Sequence, residues 1–166
     1  MNLQFENRYY SNHAMISEYV HKVLCERIYQ MAAIFVPIAL FMTIISLDNQ
    51  DYIMTAVFGV CLFIIVFTVL VSPILTIKQL KETDRQMHNG KNPEAVVQFG
   101  DNISISQGTF TLSIDYSQVI KTYQLKHSFV LMFAKGSGVM IDPEGFTTGD
   151  FHEFKEFIQS KCKGNM

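Results

Sequence analysis

Two uncharged runs separated by four polar residues set the terms for this chain. Ile28 to Leu47 is twenty residues without a charge, and Tyr52 to Ile77 is another twenty-six. Between them lies Asp48-Asn49-Gln50-Asp51, which supplies the only two charges in residues 28–77. At about 1.5 Å of rise per residue, twenty helical residues reach roughly 30 Å, the hydrocarbon thickness of a bilayer. The second run is long enough to span with some tilt. The competing reading is a helical hairpin buried in a soluble core. Such helices keep a polar stripe, and residues 56–67 (AVFGVCLFIIVF) have none. A 166-residue chain also has too little remaining mass to wrap two such helices. A transmembrane hairpin over 28–47 and 52–77 is the expectation.

Both spans lack Asp, Glu, His, Lys and Arg, which ion and proton pathways usually carry inside the membrane. A transporter or channel acting alone is therefore not expected. Thr43, Ser46, Thr55, Thr68 and Ser72 can bond back to their own helices. Pro37 and Pro73 are expected to kink their spans, which a bilayer tolerates when the freed carbonyl is satisfied locally.

Orientation follows from the basic residues, which stay on the cytoplasmic side. The 48–51 turn has none. Lys22 and Arg27 precede the first span, and Lys78, Lys81 and Arg85 follow the second. Both termini should be cytoplasmic and the acidic turn outside. About 27 mostly polar residues precede the first run, so a cleaved signal peptide is not expected.

Residues 11–27 read as an amphipathic lead-in helix. Ile16, Tyr19, Val20, Val23, Leu24 and Ile28 recur at helical spacing, with Ser11 or Asn12 as the cap. Its apolar face can lie on the membrane or pack on the cytoplasmic domain; Glu18 and Glu26 on the polar face favour packing. Residues 78–94 read as a helix extension and linker, ended by the turn signals Asn89-Gly90 and Asn92-Pro93. Arg27, Lys78, Lys81 and Arg85 are candidate lipid-headgroup contacts, at about 1 kcal/mol per basic residue near an anionic leaflet. The simpler reading of the last three is topology-setting charge.

From Ala95 the hydrophobic period changes to two. Strands are expected at 96–99, 103–106, 109–115, 119–124, 129–134 and 139–141, joined by tight turns as an antiparallel meander. Residues 129–134 are apolar on both faces, as in a central strand. Asp150 then opens a helix, with Glu153 three residues on as a capping box. Phe151, Phe154, Phe157 and Ile158 make its apolar face, which should cover the sheet. Roughly 70 residues over 95–163 is small for an independent core. Leu3 and Phe5 alternate with Asn2, Gln4 and Glu6, so residues 1–10 can supply an extra edge strand.

Net charge is −2, with no basic stripe interleaved with aromatics, so nucleic acid is not an expected partner. Cys25, Cys61 and Cys162 are odd in number and lack CxxC spacing, which predicts reduced thiols. His13, His21, His88, His127 and His152 have no metal spacing, and HExxH is absent. "AKGSGVM" at 134–140 has GxG but no strand-to-helix context, so it reads as a hairpin turn. Asp142 and Glu144 in "IDPEG" form a weak carboxylate pair, since turns collect such residues. No cofactor, no metal and no catalysis are expected.

The stretches "VVQFGDNISISQGTFTLSIDYSQVIKTYQLKHSFVLMF" and "VMIDPEGF", with an aromatic amphipathic helix after them and two spans before, resemble the YcxB-like protein family. Tyr116-Ser117-Gln118-Val119 matches its Tyr-polar-polar-aliphatic lead into a strand, and Met140-Ile141-Asp142-Pro143 with Phe146 its "IIPK"-like stretch. Asp142 and the lack of tryptophan depart from the pattern. The resemblance implies an α+β membrane protein of the bacterial inner membrane: a two-helix hairpin plus a small antiparallel domain resembling pleckstrin-homology folds, closed by a C-terminal helix. It brings no activity and no functional residues. The expected role is a membrane-anchored binding or regulatory module that meets a protein partner or a lipid headgroup. The alternative is a structural subunit assembling through its spans. An enzyme is the least favoured reading.

Overall fold

A computed structural model describes residues 3–88, 90–134 and 136–162. Asn2, Asn89, Lys135 and Lys163, which figure in the expected strand, turns and domain end, lie outside the described residues. The chain forms two compact units: Val20–Leu80, and Met1–Tyr19 together with Lys81–Met166.

The second of these is antiparallel β closed by a helix. Its strands are β1 (Phe5–Tyr9), β2 (Ala95–Phe99), β3 (Ile103–Gln107), β4 (Phe110–Ile114), β5 (Lys121–Gln124), β6 (Phe129–Ala134), β7 (Ser137–Ile141) and β8 (Phe146–Thr148). They form two sheets, ordered β4-β3-β2-β1-β8 and β5-β6-β7, where the sequence suggested one meander. The break falls after β4. There Tyr116–Gln118 makes a 3-10 turn capped reciprocally by Asp115 and Gln118, which delays β5 to Lys121.

β1 corrects the expectation of an edge strand. It lies inside the larger sheet, pairing with β2 from Phe5↔Phe99 to Tyr9↔Ala95 and with β8 on its other side. β8 had no expected counterpart and supplies that outer neighbour. Phe5, Asn7 and Tyr9 face the core and are buried. Asn7 belongs there because its side chain is satisfied. Its Nδ2 donates to the Asp142 carbonyl at 2.7 Å, and its Oδ1 accepts from the Asp142 N–H at 3.2 Å.

The core is aromatic. Phe154 of the helix Phe151–Lys161 is fully buried, with ring centroids 4.6 Å from Phe99, 5.1 Å from Phe146, 5.7 Å from Phe5 and 5.9 Å from Phe129. Ile158 is buried beside it, and Phe151 and Phe157 are half-buried. Asp150 caps this helix, its carboxylate accepting from the His152 and Glu153 N–H groups. Gly149 precedes the cap at φ +74°, and a Cβ there would collide with the Phe5 ring. β6 is buried on both faces from Phe129 to Met132, as the centre of the smaller sheet requires.

The lead-in segment is not one regular α-helix. α1 (His13–Tyr19) starts at Asn12, whose Oδ1 accepts from the Met15 N–H at 2.9 Å. Val20–Leu24 is a π turn, with the Cys25 N–H donating five residues back to the Val20 carbonyl. The extra residue shifts the helical phase. Within its own unit, α1 is tied to the sheet: the Glu18 carboxylate accepts from the Lys126 and His127 N–H groups at 2.7 and 2.9 Å.

The other unit is a helical hairpin. α2 (Glu26–Asp48) contains Pro37, and α3 (Tyr52–Met87), which contains Pro73, runs on past Leu80 as one helix. Both are long and apolar enough to cross a membrane. In α2 only Ala39 and Ser46 are buried, and in α3 only Pro73. Thr43, Thr55, Thr68 and Thr76 each donate to the carbonyl four residues back, at 2.7–2.8 Å, so their hydroxyls are spent inside the helix.

The turn is very short. Asp51 N–H donates to the Ser46 carbonyl and Gln50 N–H to that of Leu47, the paired bonds of a Schellman closure. Gln50 takes the left-handed position at φ 59°, where glycine is usual. Asp51 then caps α3, its Oδ1 accepting from the Met54 N–H at 3.1 Å. One residue both closes the first helix and opens the second.

Candidate functional site

The described residues hold no cluster of His, Cys, Asp and Glu arranged for a metal. Cys25, Cys61 and Cys162 are free thiols. Asp142 and Glu144 do not form a paired-carboxylate site. Asp142 Oδ1 accepts the Glu144 N–H at 2.9 Å, a local turn bond. His88 has its ring nitrogens against the Asp84 and Gln107 carbonyls at 3.0 and 3.3 Å, which fastens the end of α3 to β3. His152 sits on the exposed face of its helix 3.8 Å from Glu156.

Glu6 is a buried carboxylate with no signature in the sequence. It is 8% exposed on the sheet face opposite the core. It accepts from Arg8 Nε at 2.7 Å, Gln98 Nε2 at 2.8 Å and Thr147 Oγ1 at 3.0 Å. The hydrogen bonds from Gln98 and Arg8 hold its carboxyl below the usual range. Donors from β1, β2 and β8 meet on this one carboxylate, which makes it a strand-linking network. Tyr116 is likewise structural: burial pushes its phenol up to about 12, and its hydroxyl donates to the Gly100 carbonyl at 3.1 Å.

Two features among the described residues are candidates for meeting a partner. One is the outer edge of β4, five residues long with no charge, proline or bulge. Natural edge strands usually carry such protection. Phe110 at its start is 49% exposed, so the expected inward series Phe110-Leu112-Ile114 is buried only at its Ile114 end.

The other is a groove of about 320 Å³ along the hairpin. Arg27, Ile28, Met31, Ala32 and Phe35 line it from α2, with Ile65, Thr68 and Val69 from α3. The α2 positions fall on one helical stripe, and the Thr68 hydroxyl donates to the Ile64 carbonyl of its own helix. Of the four basic residues singled out by sequence, Arg27 heads this groove. Lys78, Lys81 and Arg85 lie on the later part of α3, all exposed. The groove was not legible from sequence because it exists only where two helices meet.

No curated protein and no solved structure matches the chain. Residues 100–158, from the turn before β3 to the last full turn of the C-terminal helix, match the family model of YcxB-like protein. The resemblance read from the sequence therefore stands, and the chain carries a YcxB-like domain.

Proposed function

We propose that this protein is a membrane-anchored binding module: a two-span hairpin holding a pleckstrin-homology-like domain at the cytoplasmic face of the bacterial inner membrane. The observation that carries the reading is the exposure of apolar side chains all around α2 and α3. Lipid is the solvent in which such a surface costs nothing. The pairing of β1 with β2 adds a topological argument. Residues 9 and 95 are neighbours in one sheet, so the chain between them crosses a bilayer an even number of times. Either both helices span or neither does. The absence of Lys and Arg from 48–51 supports a turn outside and both termini inside. Two antiparallel sheets closed by an aromatic helix support the pleckstrin-homology-like reading of the domain. Its binding surface is the β4 edge, which takes an extended segment of a protein partner by strand addition.

The test of the anchor places one cysteine at Gln50 in a chain whose native cysteines are replaced. A membrane-impermeant thiol reagent should label it from outside intact cells; labelling only after the cells are opened overturns the orientation. The test of the edge is the double substitution Thr111→Lys and Ser113→Lys in the full chain. Site-specific crosslinks to a partner should fall while the fold persists. A structural subunit working through its spans would keep its partners in that variant and lose them in Gly59→Leu. Gly59 is a small residue on α3 with open space before it, a suitable seat for another helix.

A further inference from the structure

The hairpin groove has the dimensions and chemistry of a lipid site in the cytoplasmic leaflet. From Arg27 to Phe35 is eight residues, or ~12 Å of helix, against ~15 Å for half of a bilayer's hydrocarbon core. The walls are aliphatic and aromatic along that length. The one charged group is the Arg27 guanidinium at the membrane-surface end, exposed and without an ion-pair or hydrogen-bond partner among the described residues. Its acidic neighbour Glu26 is engaged, its Oε1 accepting from Gln30. An arginine ending an apolar helix extends to the interface and presents a fork matched to phosphate oxygens.

We infer that the groove seats one anionic phospholipid, its phosphate on Arg27 and one acyl chain between Met31 and Phe35 of α2 and Ile65 and Val69 of α3. The inference rests on the membrane reading above. Charge selects the headgroup, and the apolar trough selects a lipid over a free phosphate, which would leave the trough empty. A zwitterionic lipid fits the trough but brings its own cation to Arg27, and loses the preference.

The chain has no tryptophan, so an introduced one reports alone. Phe35→Trp places it in the groove. Phe63→Trp is the control: the antiparallel register that sets 28–35 beside 65–69 gives it a similar depth, but on an exposed face. Each full-length variant is reconstituted in phosphatidylcholine vesicles containing a few per cent of brominated-chain phosphatidylglycerol. Quenching at position 35 should show about fivefold local enrichment of the brominated lipid over position 63, the worth of one basic contact at an anionic leaflet. Brominated phosphatidylcholine should show none. Arg27→Gln should abolish the enrichment and Arg27→Lys retain most of it. Equal quenching at both positions, or enrichment unchanged by Arg27→Gln, overturns the site. Alkaline extraction of the native chain separates the two failures: release from membranes overturns the anchor itself, whereas retention without enrichment overturns only the lipid site.

Discussion

Phenylalanine occupies opposite surroundings in the two units. Phe99 and Phe154 in the sheet domain are fully buried, while Phe41 and Phe63 in the hairpin are 62% and 69% exposed. In the domain, apolar residues alternate with polar ones, and the alternation decides which side is covered by protein. In the hairpin they are continuous, and most are exposed among the described residues. Burial within the chain is therefore no measure of how a residue is stabilised here. One unit makes its own apolar interior, and the other leaves most of its apolar side chains exposed among the described residues.

The sharpest way to break that contrast is to remove residues 1–10. Because β1 lies between β2 and β8, its loss unpairs two strands at once. The sheet domain should fail to fold, read by loss of β-type circular dichroism and by rapid proteolysis of 95–162. A fragment beginning at residue 90 should fail likewise, and a stably folded one would remove β1 from the domain. Next in size is Phe154→Ala, expected to cost ~3–5 kcal/mol in urea unfolding of the domain. Phe63→Ala should stay within about 1 kcal/mol in bilayer or detergent, since it leaves no protein cavity.

A smaller effect concerns Glu6. Its folded pKa lies below its unfolded value, so the stability it contributes is present above about pH 4.3. It is lost as pH falls through the folded value. Glu6→Gln should flatten this acid limb of the stability curve, and an unchanged limb would show that the Glu6 network has no role in it. Smallest is Gln50→Gly, which relieves a left-handed side-chain residue. It should stabilise the hairpin by about 1 kcal/mol in unfolding from detergent.

The sequence carried the helices and most strands because periodicity is local. Phe129–Ala134 reads as a central strand from its unbroken apolar run and is one. Pairing order is not local. Nothing in "FENRY" says that both its edges are occupied, and β8 is three residues beyond a turn, too short to show a period. The π turn at Val20–Leu24 is equally silent, because one inserted residue leaves the i, i+3, i+4 pattern nearly intact. The Asp115-to-Gln118 cap was readable as an acid-x-x-Gln signature, though the strand pattern around Val119 masked it. Of the candidate sites, Arg27 was visible as a charge beside an apolar run. Its groove and the bare edge of β4 were not, because both depend on which elements end up adjacent.

The central position of β1 also bears on how the protein is made. β1 leaves the ribosome before its partner β2, which emerges only after residues 10–94 have followed. At roughly 5–20 residues per second the interval is on the order of ten seconds. During it the apolar hairpin is synthesised, and β1 has no β2 to pair with. The domain can close only after that, so the hairpin is complete before the sheet is assembled. Glu6 and Arg8, which hold the finished sheet together, also keep the waiting strand charged and less prone to pair with neighbouring nascent chains.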